Sequence, residues 1–429
     1  MEVSRDRIKT LMDQVRRIHE SPKNQARMRF WQVVPHERWE PALIRTLPAP
    51  RGGGKIPFVV EPALAMWSEI LGFDTVAYYQ DPLTYLTAQL EMKIYHAQHF
   101  QDDTYIDKSF RILFATLLEG TLMGMPFGFT REGHPWLDYA HPIVQSPEDV
   151  ERLEPPDFRQ SGIMPLVHRF YAEMTEALED DFLVKFPDWL MGPFGVACEL
   201  RGFDKFLMDL ILNPEFTQQL LRAIVEARKA WQAECDRFLG VERMRGTLGN
   251  DDVYCPNLSP ALYRDAVLPF EIELCEHYGG IDARFGEEAA SPSFTDEGAA
   301  SLSFTEKGTE KGGGIFYWHS CGDTTKLIDT IARIPVVDLF HCGPWTDVGQ
   351  AARVWGDRGV ALEVCVEPVD KVQRASPEEQ RRYLREIVDQ VPDHVECIIK
   401  VDSLEVMRDL ATELAAIQSW IDAAREVLG

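Results

Sequence analysis

The chain has 429 residues, of which 45% are hydrophobic and 26% are charged, and its formal net charge is −25. This composition supports a large folded core and argues against global disorder. The negative charge argues against nucleic acid or an anionic membrane surface as a partner, and no apolar run approaches the roughly 20 residues that a membrane span requires.

The cysteines point to a reducing compartment. Eight of them are scattered along the chain without the spacing of a disulfide framework. The first residues are typical of a charged helix rather than of a signal peptide, so the sequence predicts reduced thiols and a cytoplasmic protein. These features are compatible with a homodimer but do not define the oligomeric state.

The N-terminal part predicts a helical extension over residues 1–60 that packs on the rest of the protein. A stripe of apolar residues marks its first helix: Ile8, Leu11, Val15 and Ile18. Arg27 and Arg29 follow in a mixed stretch that suits a strand or a turn. Two guanidinium groups there could hold a carboxylate or a phosphate of a substrate, although such arginines are more often surface ion-pair partners.

From residue 61 onward, apolar strands alternate with helices. Helical patterns cover residues 62–71, 81–98, 168–178, 203–211, 214–238, 259–277, 348–355 and 376–388, and a long helix closes the chain. Apolar strands cover residues 181–187, 244–248, 315–318, 336–340, 360–364 and 395–401. The stretch 120–157 is rich in glycine, proline and aromatic residues, which is typical of loops. The alternation predicts an α/β protein with a parallel sheet.

Residues 286–314 interrupt this alternation. They contain few large apolar side chains, and residues 291–298 are echoed ten positions later by residues 301–308. Such a segment cannot bury enough surface to order itself, so it predicts a flexible insertion. The insertion is either neutral or a lid over the adjacent strand ends.

Polar side chains follow the predicted strands where each strand ends. His319 and Cys321 form a His-x-Cys pair, and both residue types suit zinc. A lone pair of this kind is more often a buried cysteine beside a hydrogen-bonded histidine. The other strand-end residues extend the pattern: Asn250, Asp251, Asp252, His341, Cys342, Glu367 and Asp402. Because the carboxyl ends of parallel strands in a barrel converge on one face, the set together predicts a functional site.

Several motifs support a family assignment. They are HSCGDT at residues 319–324, DLFHCGP at residues 338–344, and LEVCVEP at residues 362–368 followed by SPEE at residues 376–379. The chain from about residue 60, without the insertion, resembles the uroporphyrinogen decarboxylase superfamily. Within it, the chain is more similar to the cobalamin-linked methyltransferase branch than to the heme-pathway decarboxylase. The resemblance implies a TIM (β/α)8 barrel over residues 61–429.

The same resemblance implies a zinc site. In the methyltransferase branch, zinc is held by His-x-Cys and by a distant cysteine on the last strand. The first two ligands correspond to His319 and Cys321. For the third, Asp402 falls at the predicted strand end, whereas Cys397 falls inside the predicted strand, and His341 is a further alternative. Either the ligand set has changed or the site has lost its metal.

The resemblance therefore implies zinc-dependent methyl transfer to or from the cobalamin of a corrinoid partner protein, or to a thiol acceptor. The catalytic candidates are Asp251, Asp252, His341 and Glu367. The candidates for binding a small-molecule substrate are Arg27, Arg29, Asn250 and Cys342. One alternative is a metal-free decarboxylase of the uroporphyrinogen type, in which His-x-Cys has no role. Another is a non-catalytic barrel that binds a small molecule or a corrinoid protein.

Overall fold

The computed structural model describes residues 5–31, 55–114, 117–130, 135–241, 245–279 and 314–429. Eight parallel strands in these ranges build the barrel: β1 (Phe58–Pro62), β2 (Ser109–Arg111), β5 (Leu183–Lys185), β6 (Arg245–Gly249), β7 (Gly314–His319), β8 (Val337–Cys342), β9 (Ala361–Val366) and β10 (Cys397–Leu404). Two further strands, β3 (Phe127–Phe129) and β4 (Pro135–Leu137), pair as an antiparallel hairpin. The predicted insertion lies outside the described residues except for Gly314.

The barrel strands are connected in a ring. Six of them form one parallel sheet in the order β1-β10-β9-β8-β7-β6, and β2 pairs with β5 in parallel. A bridge between Met191 and Gly249 joins the segment after β5 to β6. The amide of Asp103 donates to the carbonyl of Phe58 at 2.9 Å, which joins the segment before β2 to β1. The predicted TIM barrel is therefore confirmed.

The helices lie between the strands and before the first of them. They are α1 (Arg5–Glu20), α2 (Pro22–Phe30), α3 (Leu64–Leu71), α4 (Thr75–Gln80), α5 (Pro82–His99), α6 (Leu117–Leu122), α7 (Pro147–Val150), α8 (Met164–Ala177), α9 (Pro193–Arg201), α10 (Phe203–Leu212), α11 (Pro214–Leu239), α12 (Pro260–Ala266), α13 (Leu268–Gly279), α14 (Ile328–Ile331), α15 (Val348–Gly356), α16 (Pro377–Gln390) and α17 (Leu410–Leu428). A π-helix (Val369–Gln373) precedes α16. No described helix is both long and apolar enough to cross a membrane.

Capping residues explain where several helices begin. Ser376 and Glu379 form a capping box at the start of α16, with Pro377 at the first position. Ser21 caps α2 by accepting a hydrogen bond from the Asn24 amide, ahead of Pro22. The stretch that carries the two N-terminal arginines is therefore a helix, and the expectation of a strand or turn there is wrong. The Ser-Pro pair is the local signal for this helix.

Other boundaries also differ from the sequence pattern. The helix expected over residues 259–277 is two helices, because the chain turns at Val267 between α12 and α13. The expected loop region 120–157 contains part of α6, the β3–β4 hairpin and α7. Strand β1 spans the predicted domain boundary at residue 60, with α1 and α2 before it.

The barrel strands have buried side chains on both faces. On the outer face, the ring of Trp318 stacks on Phe340 with centroids 5.4 Å apart, and Phe340 stacks on Trp355 at 4.9 Å. On the inner face, Tyr317 and Leu339 pack together as the floor of the barrel interior. Strands buried on both faces appear as near-continuous apolar runs, which is why the sequence identifies them. The polar residues above the floor form the site.

Candidate metal centre

Three side chains from two neighbouring strands meet at the C-terminal end of the barrel. His319 ends β7, Cys321 follows two residues later, and His341 lies next to the end of β8. One ligand atom of each lies within 4.8 Å of the others, and His319 Nε2 is 3.2 Å from Cys321 Sγ. Tetrahedral zinc places its ligand atoms roughly 3.3–3.6 Å apart. The triad therefore has the residue types and nearly the spacing of a three-ligand zinc site.

A hydrogen-bond network below the triad orients both imidazoles. The Tyr317 hydroxyl lies 2.8 Å from His319 Nδ1 and donates to Glu363 Oε1 at 2.6 Å. His341 Nδ1 lies 2.8 Å from the same Glu363 oxygen. If both histidines donate from Nδ1, the Tyr317 oxygen accepts from His319 and the Glu363 carboxylate accepts from His341. Each Nε2 is then left with the lone pair that a metal requires.

The electrostatics of this network favour an ionised carboxylate and a neutral imidazole. Burial opposes ionisation of Glu363, but the ammonium group of Lys400 and the hydrogen bond from His341 outweigh it and lower the carboxyl pKa to about 2. Burial and the neighbouring His319 lower the pKa of His341. A neutral imidazole beside an ionised carboxylate is the usual state of a metal-binding histidine.

His341 provides a direct test of whether a cation fits. Its side chain is 0% exposed, and within the described residues its Nε2 has no hydrogen-bond partner. A buried nitrogen left unpaired costs about 1–3 kcal/mol. Because Glu363 already engages Nδ1, Nε2 is the atom available to a metal. The residues present therefore fit zinc.

Asp251 borders the triad. Its Oδ1 lies 3.0 Å from His319 Nε2 and accepts from the Cys321 amide at 3.3 Å. Burial opposes ionisation of Asp251, but the contacts with His319 and Cys321 hold its carboxyl pKa well below the usual range. A proton on His319 Nε2 would donate to this carboxylate, and a metal on the same atom would replace that proton.

Asp252 faces an open pocket of about 700 Å³ beside the triad. Its carboxyl makes no hydrogen bond within the described part of the chain. Burial, followed by the charge of Asp251, raises its pKa to about 6. A carboxyl group that titrates near neutral pH suits a proton donor or acceptor.

The raised pKa predicts a pH-dependent stability effect for Asp252→Asn. An unfolded aspartate titrates near 3.9, so the folded protein holds the proton more tightly, and the wild type loses stability as the pH rises from about 4 to 6. Asparagine has no such loss. We therefore expect the melting temperature of the variant to exceed that of the wild type by more at pH 8 than at pH 5. Glu215→Gln, at an exposed position on α11, is the control, and an equal shift at both pH values would contradict the prediction.

The two alternative third ligands lie elsewhere. Asp402 Oδ2 is 3.2 Å from Lys400 Nζ, and its Oδ1 accepts from the Cys365 thiol at 3.6 Å. Cys397 is the first residue of β10, at the opposite end of that strand from Asp402. His341 is therefore the third member of the cluster, and the Asp402 carboxylate lies outside it but close enough to contribute, after burial and Asp251, to the raised pKa of the Cys321 thiol.

Three further candidates have structural partners. Glu367 accepts from the amides of Val369 and Asp370 at 3.0 and 2.6 Å and so caps the π-helix. Cys342 follows His341 on the strand and is buried, with its thiol 3.8 Å from the Thr346 carbonyl. Asn250 is fully buried and donates to Glu271 Oε1 at 3.0 Å. The catalytic role expected for Glu367 and the substrate-binding roles of the other two stay predictions.

The two N-terminal arginines lie far from the triad. Arg27 donates to the carbonyl of Thr104 at 3.0 Å, and Arg29 is exposed on the same helix. Trp31, which directly follows that helix, packs with Ile398 near the start of β10. The helix therefore lies toward the N-terminal ends of the strands, whereas the triad lies at the C-terminal ends.

Sequence reasoning missed Tyr317, Glu363 and Lys400. All three are buried polar residues inside strands whose other residues are mostly apolar. Their signal is the two-residue period: Tyr317 precedes His319 by two positions, so both side chains lie on one face of β7. Glu363 and Lys400 are the charged residues inside otherwise apolar runs, which indicates that they also lie on the inner face of the barrel.

Comparisons with known proteins agree with this fold. The family model for uroporphyrinogen decarboxylase (URO-D) matches residues 86–426. A methyltransferase from Methanosarcina mazei has a similar structure, with a TM-score of 0.56 and 15% identity over 87% of this chain and 94% of that chain. No curated protein matches the sequence. At this level of identity the structural similarity is one of fold.

Proposed function

The chain belongs to the uroporphyrinogen decarboxylase (URO-D) family, and we propose that within it the chain acts as a zinc-dependent methyltransferase. The observation that carries the proposal is the triad of His319, Cys321 and His341, with ligand atoms within 4.8 Å of one another. The methyltransferase from Methanosarcina mazei, which shares the fold, supports the reaction class.

Zinc bound at such a site would act as a Lewis acid that favours a thiolate or polarises the group bearing the methyl. The protein's own residues would do the rest. Tyr317 and Glu363 hold the two imidazoles in place, and Asp251 contacts His319 at the edge of the pocket. The Asp252 carboxyl group has no hydrogen-bond partner among the described residues, and burial raises its pKa to about 6, so it would take or give the proton that accompanies transfer. A corrinoid protein is the proposed carrier of the methyl group, on the strength of the family resemblance.

The decarboxylase alternative has less support. A porphyrinogen carries several carboxylates, and its recognition requires cationic side chains. In the pocket beside the triad, four carboxyl groups outnumber the single ammonium group of Lys205. A separate cavity of about 660 Å³ is lined by Lys93, Arg111 and Lys185, and Arg27 and Arg29 lie toward the other end of the barrel. Measurements of metal content and of turnover distinguish a non-catalytic binding barrel from the proposed methyltransferase.

Elemental analysis is the first test. We expect about one zinc per chain in wild-type protein purified with zinc present, and none in the His319→Ala/Cys321→Ala variant. Cys255→Ala removes a thiol outside the triad and is the matched control, so it should keep its zinc. Loaded protein should then transfer methyl groups to cob(I)alamin or from methylcob(III)alamin.

Two outcomes would overturn the proposal. Wild-type protein without zinc under these conditions would exclude the zinc mechanism. Turnover of a porphyrinogen by zinc-free protein would select the decarboxylase alternative.

A further inference from the structure

We propose that the pocket beside the triad binds a methylated ammonium cation as the methyl-bearing substrate. Its role as a substrate rests on the proposed function, whereas its binding does not. In the transfer, the C–N bond breaks and its electron pair stays on nitrogen, which leaves as a neutral amine. The methyl carbon forms its new bond with a lone pair of the acceptor, a thiolate or cob(I)alamin.

The pocket has the size and position that this role requires. Its volume of about 700 Å³ lies in the range of small-molecule sites. It is lined by Tyr139, by Met191, by the start of α10 and by Asp251 and Asp252 after β6. Because Asp251 also contacts His319 at 3.0 Å, the wall of the pocket that Asp251 forms adjoins the triad.

The charges that line the pocket favour a monovalent cation. Four carboxyl groups, those of Glu199, Asp204, Asp251 and Asp252, face a single ammonium group, that of Lys205. Lys205 is exposed, and its Nζ donates to Gln145 Oε1 at 2.8 Å. The two charges of a zinc ion would offset the Cys321 thiolate and Asp251. With Glu199 neutral, the two negative charges of Asp204 and Asp252 and the positive charge of Lys205 leave the pocket lining with a net charge of about −1.

Glu199 is a buried carboxyl group in the wall of the pocket. Its side chain lines the pocket although the residue is only 6% exposed. Within the described residues its Oε2 has no hydrogen-bond partner, and its Oε1 lies 3.4 Å from the Tyr139 hydroxyl. The unpaired Oε2 is enclosed and packs toward Gly120, where a Cβ atom would lie 2.7 Å from it. Burial raises the pKa of this carboxyl group well above its usual value, so Glu199 contributes a neutral polar group to the pocket.

Aromatic rings complete the site. Tyr139 is 59% exposed and Phe203 is 36% exposed, and both line the pocket. Aromatic faces attract ammonium groups, including quaternary ones that cannot form hydrogen bonds. The same carboxylates would repel a sulfonate or a carboxylate. Methyl transfer from the cation also removes its charge, so the neutral amine would bind more weakly and leave.

Choline and its neutral isostere 3,3-dimethyl-1-butanol test the proposal, because they differ mainly in the charge of one atom. Isothermal titration of the full chain at pH 8 should show that choline binds at least about tenfold more tightly than the isostere. Asp252→Asn should remove most of this preference, and Glu215→Gln should keep it. Asp252→Asn is expected to fold, since it removes an unfavourable charge.

Zinc-free protein separates this inference from the proposed function. After treatment with a chelator, the protein should still bind choline more tightly than the neutral isostere. The zinc content of each sample is measured independently. No choline binding, equal affinity for the isostere, tighter binding of 3,3-dimethylbutanoate, or a preference that survives Asp252→Asn would each overturn the inference. Displacement of choline by equimolar Mg²⁺ would indicate a simple metal site and would overturn it too.

Discussion

His341→Ala is expected to abolish stoichiometric zinc binding. The variant keeps His319 and Cys321, but two ligands on one short segment are too few for a tight zinc site. The fall in zinc affinity should exceed the roughly 10–100-fold that loss of an outer hydrogen-bond partner causes. Competition with a chromogenic chelator measures it directly.

Cys342→Ala is the matched control for this experiment. Cys342 is the next residue on the same strand, but its thiol lies against Thr346 and not in the triad, so zinc affinity should stay at the wild-type value. The opposite pattern is also informative. Zinc retained in His341→Ala but lost in Asp402→Asn would place the third ligand on the last strand.

Glu363→Gln is expected to lower zinc affinity about 10–100-fold. The substitution preserves shape but removes the negative charge that His341 Nδ1 contacts at 2.8 Å. The amide can also turn its NH₂ group toward Nδ1, which would move the imidazole proton to Nε2 and block the metal. Glu367→Gln changes a glutamate whose carboxylate accepts from the amides at the start of the π-helix and does not contact the triad histidines, and it should leave zinc affinity unchanged.

Stability measurements show whether Glu363 supports zinc binding as well as the folded state. Its folded pKa of about 2 lies below the unfolded value near 4.3. Its contribution to stability is therefore present above about pH 4 and is lost as the pH falls toward 2. Glu363→Gln should lower the melting temperature at pH 7 as well as zinc affinity. A lower melting temperature with unchanged zinc affinity would mean that the residue is structural only.

The sequence predicts the barrel best where its strands are long and apolar. Strands β6 to β10 lie within a few residues of the predicted runs, because burial on both faces makes them nearly continuous stretches of apolar residues. Strands β1 and β2 were missed. One contains a glutamate and a proline, the other spans only Ser109–Arg111, and neither shows a clear period.

The candidate site was predicted in part. His319 and Cys321 are close in sequence, so their proximity in space follows from a short motif. The position of His341 depends on the register between β7 and β8, in which Trp318 lies opposite Phe340. Register is set by packing across strands, which a single sequence does not reveal. His341 could therefore be named only as one of several third ligands.

The Tyr317 hydroxyl has an evolutionary consequence. One oxygen atom lies within 3.0 Å of the Nδ1 atoms of both imidazoles, at 2.8 Å from His319 and 3.0 Å from His341. A single-nucleotide change from tyrosine to phenylalanine would remove the hydrogen-bond partner of His319 Nδ1 and keep the ring that fills the barrel floor, whereas His341 Nδ1 would keep its contact with Glu363. One mutational step would therefore loosen one of the two proposed histidine ligands with little change in the packing around it.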